Sequence, residues 1–153
     1  MSDVALLLPA HPEHVRTARL VVVAAARRAG LADELVDELR LAVGEACARA
    51  VGLHREDATE ERIEITVSDD ATGLRVAVAD RAAVTEVGDD AGLGDLVDPD
   101  LSLALITGLV ENADISAGPD GTGTVITLSW PLTSPRPGSP AGSASTQAAT
   151  SAQ

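Results

Sequence analysis

Among its 153 residues the chain has no phenylalanine, no tyrosine and no lysine, one tryptophan (Trp130) and one cysteine (Cys47). Each absence excludes something. With Trp130 as the single large aromatic side chain there is no platform on which successive bases of a single-stranded nucleic acid could stack. Without lysine there is no titratable amine and no ammonium clamp for phosphate, because every one of the 11 basic residues is arginine. A lone cysteine forms no internal disulfide, and Cys47, His11, His14 and His54 do not fall at metal-ligand spacings. No run approaches the roughly 18 apolar residues that a membrane span needs, and no basic segment leads into a long apolar stretch with a cleavage site. The expectation is a cytoplasmic protein in a reducing compartment, with no membrane partner and no bound metal.

What the chain has in excess is acid. A formal charge of −13 and a pI near 4.4 oppose contact with a phosphate backbone, whose binding rests on cationic side chains that displace counterions. Direct nucleic-acid binding is therefore not expected. An acidic surface suits a basic protein partner, although acidity also serves solubility alone. The apolar share, 45%, is that of an ordinary soluble domain, and its core must be built from Val, Leu, Ile and Ala.

Patterning divides the chain into one domain, 1–131, and a tail, 132–153. Val4 to Leu8 reads as an edge strand stopped by Pro9. From Glu13 onward Val15, Ala18, Val22, Ala25, Ala26 and Ala29 keep a helical period, with Pro12 in the first turn and Gly30 as the stop. A second helix opens on Asp33, Glu34, Asp37 and Glu38, buries Leu35, Leu39, Ala42, Val43, Ala46 and Ala50, and is expected to end near Gly52. Ile63, Ile65 and Val67, then Leu74, Val76 and Val78, alternate with polar residues across a turn at 69–73 and predict a β-hairpin. Residues 82–100 carry Glu86, Asp89, Asp90, Asp95, Asp98 and Asp100 without a periodic apolar face and read as a mobile acidic loop. Leu101, Leu105 and Leu109 restore helical spacing, and strands follow at 113–117 and 124–130. From Thr133 on, Ser, Thr, Pro, Gly, Ala and Gln dominate, so the tail is expected to be disordered. This order of elements predicts an α+β fold, a mixed sheet with helices layered on a single face.

The stretch Leu39-Arg40-Leu41-Ala42-Val43-Gly44-Glu45-Ala46-Cys47-Ala48-Arg49-Ala50-Val51 resembles the N-box helix of the anti-sigma factor serine/threonine-protein kinases, part of the histidine-kinase-like ATPase superfamily. A strand running into Asp80, a loop, the helical run Leu101-Ser102-Leu103-Ala104-Leu105-Ile106 and a closing hairpin follow in the order of that family. The resemblance implies the Bergerat fold, a two-layer sandwich with a mixed, mostly antiparallel sheet. It also implies a homodimer and partners of two kinds, a sigma factor and a STAS-type anti-anti-sigma protein.

In that family the N-box glutamate is the base toward a partner's serine, and Glu45 matches it. The asparagine that holds magnesium is replaced by Arg49, whose guanidinium has no lone pair for a hard cation. The adenine-binding aspartate corresponds to Asp80, but the glycine two residues on is Ala82. Where Gly-x-Gly is expected before the last helix the chain has Asp100-Leu101-Ser102, which sets negative charge where a phosphate would approach backbone N–H groups.

Read without the family, Glu45 and Arg49 are an i,i+4 pair of the kind that stabilises a helix surface, and Asp80 is an ordinary turn aspartate. His54 reads as a cation just past the second helix, and Cys47 as a small packed residue. Two functions follow. The first is an anti-sigma-like binding regulator with a degenerate nucleotide pocket at Arg49, Asp80, Ala82 and Ser102 and no cofactor. The second is an active protein serine kinase that uses ATP and magnesium, with Glu45 as its base.

Overall fold

A computed structural model describes residues 2–83 and 99–132. The chain runs β1 (Ser2–Leu8), α1 (Pro12–Ala29), α2 (Asp33–Glu56), β2 (Ile63–Asp69), β3 (Leu74–Ala79), α3 (Pro99–Leu109), β4 (Asn112–Ala117) and β5 (Thr124–Trp130), with a short 3-10 turn, Pro119–Gly121, between the last two strands. The strands form one sheet in the order β1-β2-β3-β5-β4, and every neighbouring pair is antiparallel. Most of the acidic loop expected at 82–100, and the tail from Thr133, lie outside the described residues.

Alternation along the strands dictates which face is covered, because successive side chains point to opposite sides. The register lines up Val4, Val67, Val76, Leu128 and Ala113 in one row and Leu6, Ile65, Val78, Ile126 and Ile115 in the next. These rows face the helices and hold the centre of the core except at the β4 edge, where Ile115 is 43% exposed, whereas Ala5, Thr66, Ala77, Thr127 and Asp114 form a row on the opposite face. With no large aromatics available, close approach of small side chains replaces bulk: Ala18, Val22 and Ala26 of α1 and Leu39, Ala42, Val43 and Ala46 of α2 are buried. Gly44 lies where α1 crosses α2, and a Cβ there would come within 3.2 Å of Arg19 Cδ. The one tryptophan closes the far end, its Nε1–H donating to Glu38 Oε1 at 2.9 Å and so tying β5 to α2.

The first helix ends as its sequence predicts, with Gly30 left-handed at φ 93 and its N–H returning to the carbonyls of Ala26 and Arg27. The second does not. It passes through Gly52 and continues to Glu56, and the left-handed residue that follows its end is Ala58, at φ 51. A mid-helix glycine costs only about 1 kcal/mol relative to alanine. Burial of His54 on the following turn offsets that cost and carries the helix on.

Cys47 is 2% exposed on the buried face of α2. Burial pushes its thiol up to about 12 against the opposing pull of Arg19, so at neutral pH it is a protonated, apolar filler. An aromatic disulfide reagent at pH 8 is therefore expected to leave the folded protein unmodified and to label one thiol per chain once urea unfolds it. Complete labelling within minutes under native conditions would contradict this packing.

Candidate functional site

The end of α2, the end of β3 and the start of β5 meet around one aspartate. Asp80 follows β3 directly and is 3% exposed. Its backbone N–H donates to Thr124 O at 3.0 Å, extending the β3–β5 ladder by one bond. Its side-chain Oδ1 accepts from the N–H of Ala82 at 3.1 Å and of Thr124 at 3.3 Å, and its Oδ2 faces Arg49 Nη1 at 3.5 Å. Arg49 is itself 8% exposed. A guanidinium on α2 and a carboxylate at the strand end thus form a buried ion pair joining the two layers of the fold.

Burial raises the Asp80 carboxyl above its ordinary range, and the Ala82 N–H, Arg49, the Thr124 N–H and His54 pull it back only in part. The direction agrees with the geometry. At 3.5 Å the Arg49 contact is longer than the roughly 2.7–2.9 Å of a charge-assisted hydrogen bond, so its Coulomb gain does not fully offset desolvation.

The residues that the sequence singles out do not all converge. Arg49, Asp80 and Ala82 come together, and Ala82 is buried at 4% exposure. Glu45 is half-buried one turn before Arg49 on α2. The acid paired with Arg49 among the described residues is Asp80, so the Glu45–Arg49 salt bridge expected from the i,i+4 spacing is replaced by a pairing between elements. The physical reason is position: Arg49 lies on the buried face of α2, directed toward the sheet, and Glu45 does not share that depth. Ser102 is buried in α3, which packs against α2, and Asp100 falls in the first turn of that helix.

Three participants escape the sequence reading. His54, expected as a cation just past the second helix, is instead inside the last turn of α2 and 1% exposed. Its Nε2 accepts the N–H of Arg81 at 2.8 Å, and its Nδ1 lies 3.0 Å from Glu61 O. Asp57, just past α2, accepts the N–H of Ala83 through Oδ2 at 2.9 Å. Gly123, at φ 74, passes so close to the Asp80 carbonyl that a Cβ would stand 2.0 Å from that oxygen. A signal for His54 was present: the buried positions Val36, Leu39, Val43, Ala46 and Ala50 continue at helical spacing to residue 54. Gly52 masked it.

Comparisons with known proteins agree with this architecture. A family model described as histidine kinase-like ATPase domain matches residues 8–130. The serine-protein kinase RsbW of Listeria monocytogenes is 36% identical over 76 residues, 48% of this chain and 48% of that protein. RsbW of Listeria innocua is 33% identical over 100 residues, covering 58% and 64%. The chain thus spans about half to two thirds of the length of these curated relatives. A crystal structure of the RsbU and RsbW domains of Rv1364c from Mycobacterium tuberculosis superposes with a TM-score of 0.63 at 22% identity, over 86% of this chain and 32% of that one. That likeness establishes the fold.

Proposed function

The chain belongs to the histidine kinase-like ATPase domain family, and we propose that within it the protein is a partner-binding regulator of transcription, holding a sigma factor or a STAS-type anti-anti-sigma protein without ATP turnover. Similarity to the RsbW serine-protein kinases supports the partner-switching class. The observation that carries the departure from kinase chemistry is the Arg49–Asp80 pair. In the family that the sequence resembles, the matching positions hold magnesium and adenine. Here one is a guanidinium, which offers a cation no lone pair, and the other is a carboxylate already engaged by two backbone N–H groups and that guanidinium. The residues present do not fit Mg-ATP. Arg49 supplies the positive charge that a metal would otherwise bring.

The partner surface proposed is α1, where Arg16, Arg19, Arg27 and Arg28 are exposed around Leu20, itself 63% exposed. In a chain of net −13 this helix is a local basic face, suited to steering an acidic segment of a partner. A second candidate surface is the acidic stretch at 82–100, most of which lies outside the described residues.

A protein serine kinase remains the second reading because Glu45 is retained and only half-buried. Titration calorimetry separates the two. The regulator is expected to show blank-level heat with Mg-ATP and saturable binding to a sigma or anti-anti-sigma protein of its own genome, weakened when Arg16 and Arg19 are replaced by Glu. Micromolar Mg-ATP binding, with phosphate transfer abolished by Glu45→Ala, would establish the kinase instead. Absence of affinity for every such partner would remove the regulator.

A further inference from the structure

Gly52 neither ends α2 nor relieves a clash inside the molecule. The helix runs through it to Glu56, and a Cβ built on it would meet nothing within 4 Å. Glycine inside a helix weakens it, so internal packing does not account for this one. Its effect is on the surface. Between α1 and α2 lies a groove of about 280 Å³, walled by Pro12 and Val15 of α1 and floored by Ala48, Val51 and Gly52 of α2. Any side chain at position 52 would take up part of that space.

The groove continues a stripe along α2. Leu41, Gly44, Ala48 and Gly52 recur at helical spacing, on the side away from the buried Leu39, Val43, Ala46 and Ala50. An outward helix face is ordinarily polar. Here Leu41 is 58% exposed and small residues follow it. Ala48 and Gly52, one turn apart, let another helix come close, and the channel beside α1 accepts a ridge of its side chains. At the far end the Arg19 side chain lies against Gly44 and closes the channel.

Charge at the rim decides what kind of helix fits. Arg16, one turn along α1 from Pro12, and Arg55, which lines the groove from α2, are both exposed. Glu13 and Glu56 stand at the open end, and Glu45 is half-buried on α2. Cations therefore border both walls, although the chain as a whole is −13. A second copy seated here about a two-fold axis would set these arginines against their own kind. An acidic side chain beside the apolar face of a different protein's helix would be drawn to them.

We infer that this groove seats one helix of the protein partner, an amphipathic helix that lays an apolar side chain over Ala48 and Gly52 and carries Asp or Glu beside its apolar stripe to meet Arg16 and Arg55. The site rests on the reading of the protein as a partner-binding regulator, and it extends the α1 face named there onto the outward side of α2.

The test fills the groove without disturbing the fold. Gly52→Leu in the full chain puts a side chain into open space and exchanges a poor helix former for a good one, so its urea midpoint should equal or exceed that of the wild type. Titrated with the sigma or anti-anti-sigma protein that the wild type binds, this variant should lose affinity by about tenfold or more, and Gly52→Ala by less. Arg55→Glu should slow association, an effect that added salt removes. With Leu41 replaced by photoreactive benzoylphenylalanine, cross-linking should mark a helical, acidic segment of the partner. Wild-type affinity in Gly52→Leu, or a cross-link to a second copy of this chain or to a basic segment, would overturn the site and leave the regulator standing. A lowered urea midpoint in Gly52→Leu would mean that the space over residue 52 is filled within the chain, which also overturns it. A wild type that binds no such partner would remove the regulator, and the site with it.

Discussion

Asp80→Ala is expected to destabilise the folded chain by about 3–5 kcal/mol, read as a lowered midpoint in urea with an unchanged slope. Three consequences combine. The substitution leaves the Ala82 and Thr124 N–H groups without the acceptor they share, and each unsatisfied buried donor costs about 1–3 kcal/mol. It also takes from Arg49, at 8% exposure, the carboxylate that faces it. A loss below about 1 kcal/mol would show that this ion pair and its backbone contacts do not organise the site.

Asp80→Asn separates the charge from the hydrogen bonds. The amide oxygen can still accept from Ala82 and Thr124, so the cost should be smaller, about 1–2 kcal/mol. Its pH dependence is informative. Because burial raises the Asp80 carboxyl, the folded chain holds that proton more tightly than the unfolded chain does. Its contribution is therefore fully present below about pH 3.9, the ordinary aspartate value, and is lost as pH rises through the raised one. Asparagine has no such proton, so the gap between the two proteins should narrow across that window. A gap that widens instead would mean that Arg49 outweighs desolvation.

Most of the architecture was legible in the sequence because it rests on periodicities that short-range chemistry enforces. The 2-residue alternation of Ile63, Ile65, Val67 and of Leu74, Val76, Val78 could only bury one face of a hairpin, and Pro12 and Gly30 bracketed the first helix unambiguously. The site was half legible. Asp80, Arg49 and Ala82 could be marked because a family motif ran through them, but their mutual contact is a tertiary fact. From the sequence alone, the nearest acid to Arg49 was Glu45, four residues back. Which way Arg49 points is decided by the layer that α2 packs against, and the sheet supplies Asp80 from 31 positions away. His54 was misplaced for a related reason: a local stop signal at Gly52 was weighed above the buried stripe, and tertiary burial overrode propensity.

Gly123→Ala should be comparably damaging although it removes no contact at all. Two independent penalties fall on one methyl group. The backbone is left-handed there, at φ 74, where a Cβ costs about 1–2 kcal/mol. That Cβ would also stand 2.0 Å from the Asp80 carbonyl oxygen and 2.7 Å from its carbon, both backbone atoms held by the β3–β5 ladder, and forced overpacking of this kind adds about 1–3 kcal/mol. The expected loss is therefore about 2–5 kcal/mol, and its location is as telling as its size. To admit the methyl group, β5 must draw back from Asp80, lengthening the Thr124 N–H contact to Oδ1 and loosening Arg49. Gly121→Ala, at a similar φ of 73 but with open space around its Cβ, is the matched control and should cost only the backbone term. Equal losses from the two substitutions would show that conformation alone accounts for the effect. A loss at Gly123 exceeding that at Gly121 by more than about 1 kcal/mol would tie the stability of the fold to the close approach of β5 and the aspartate.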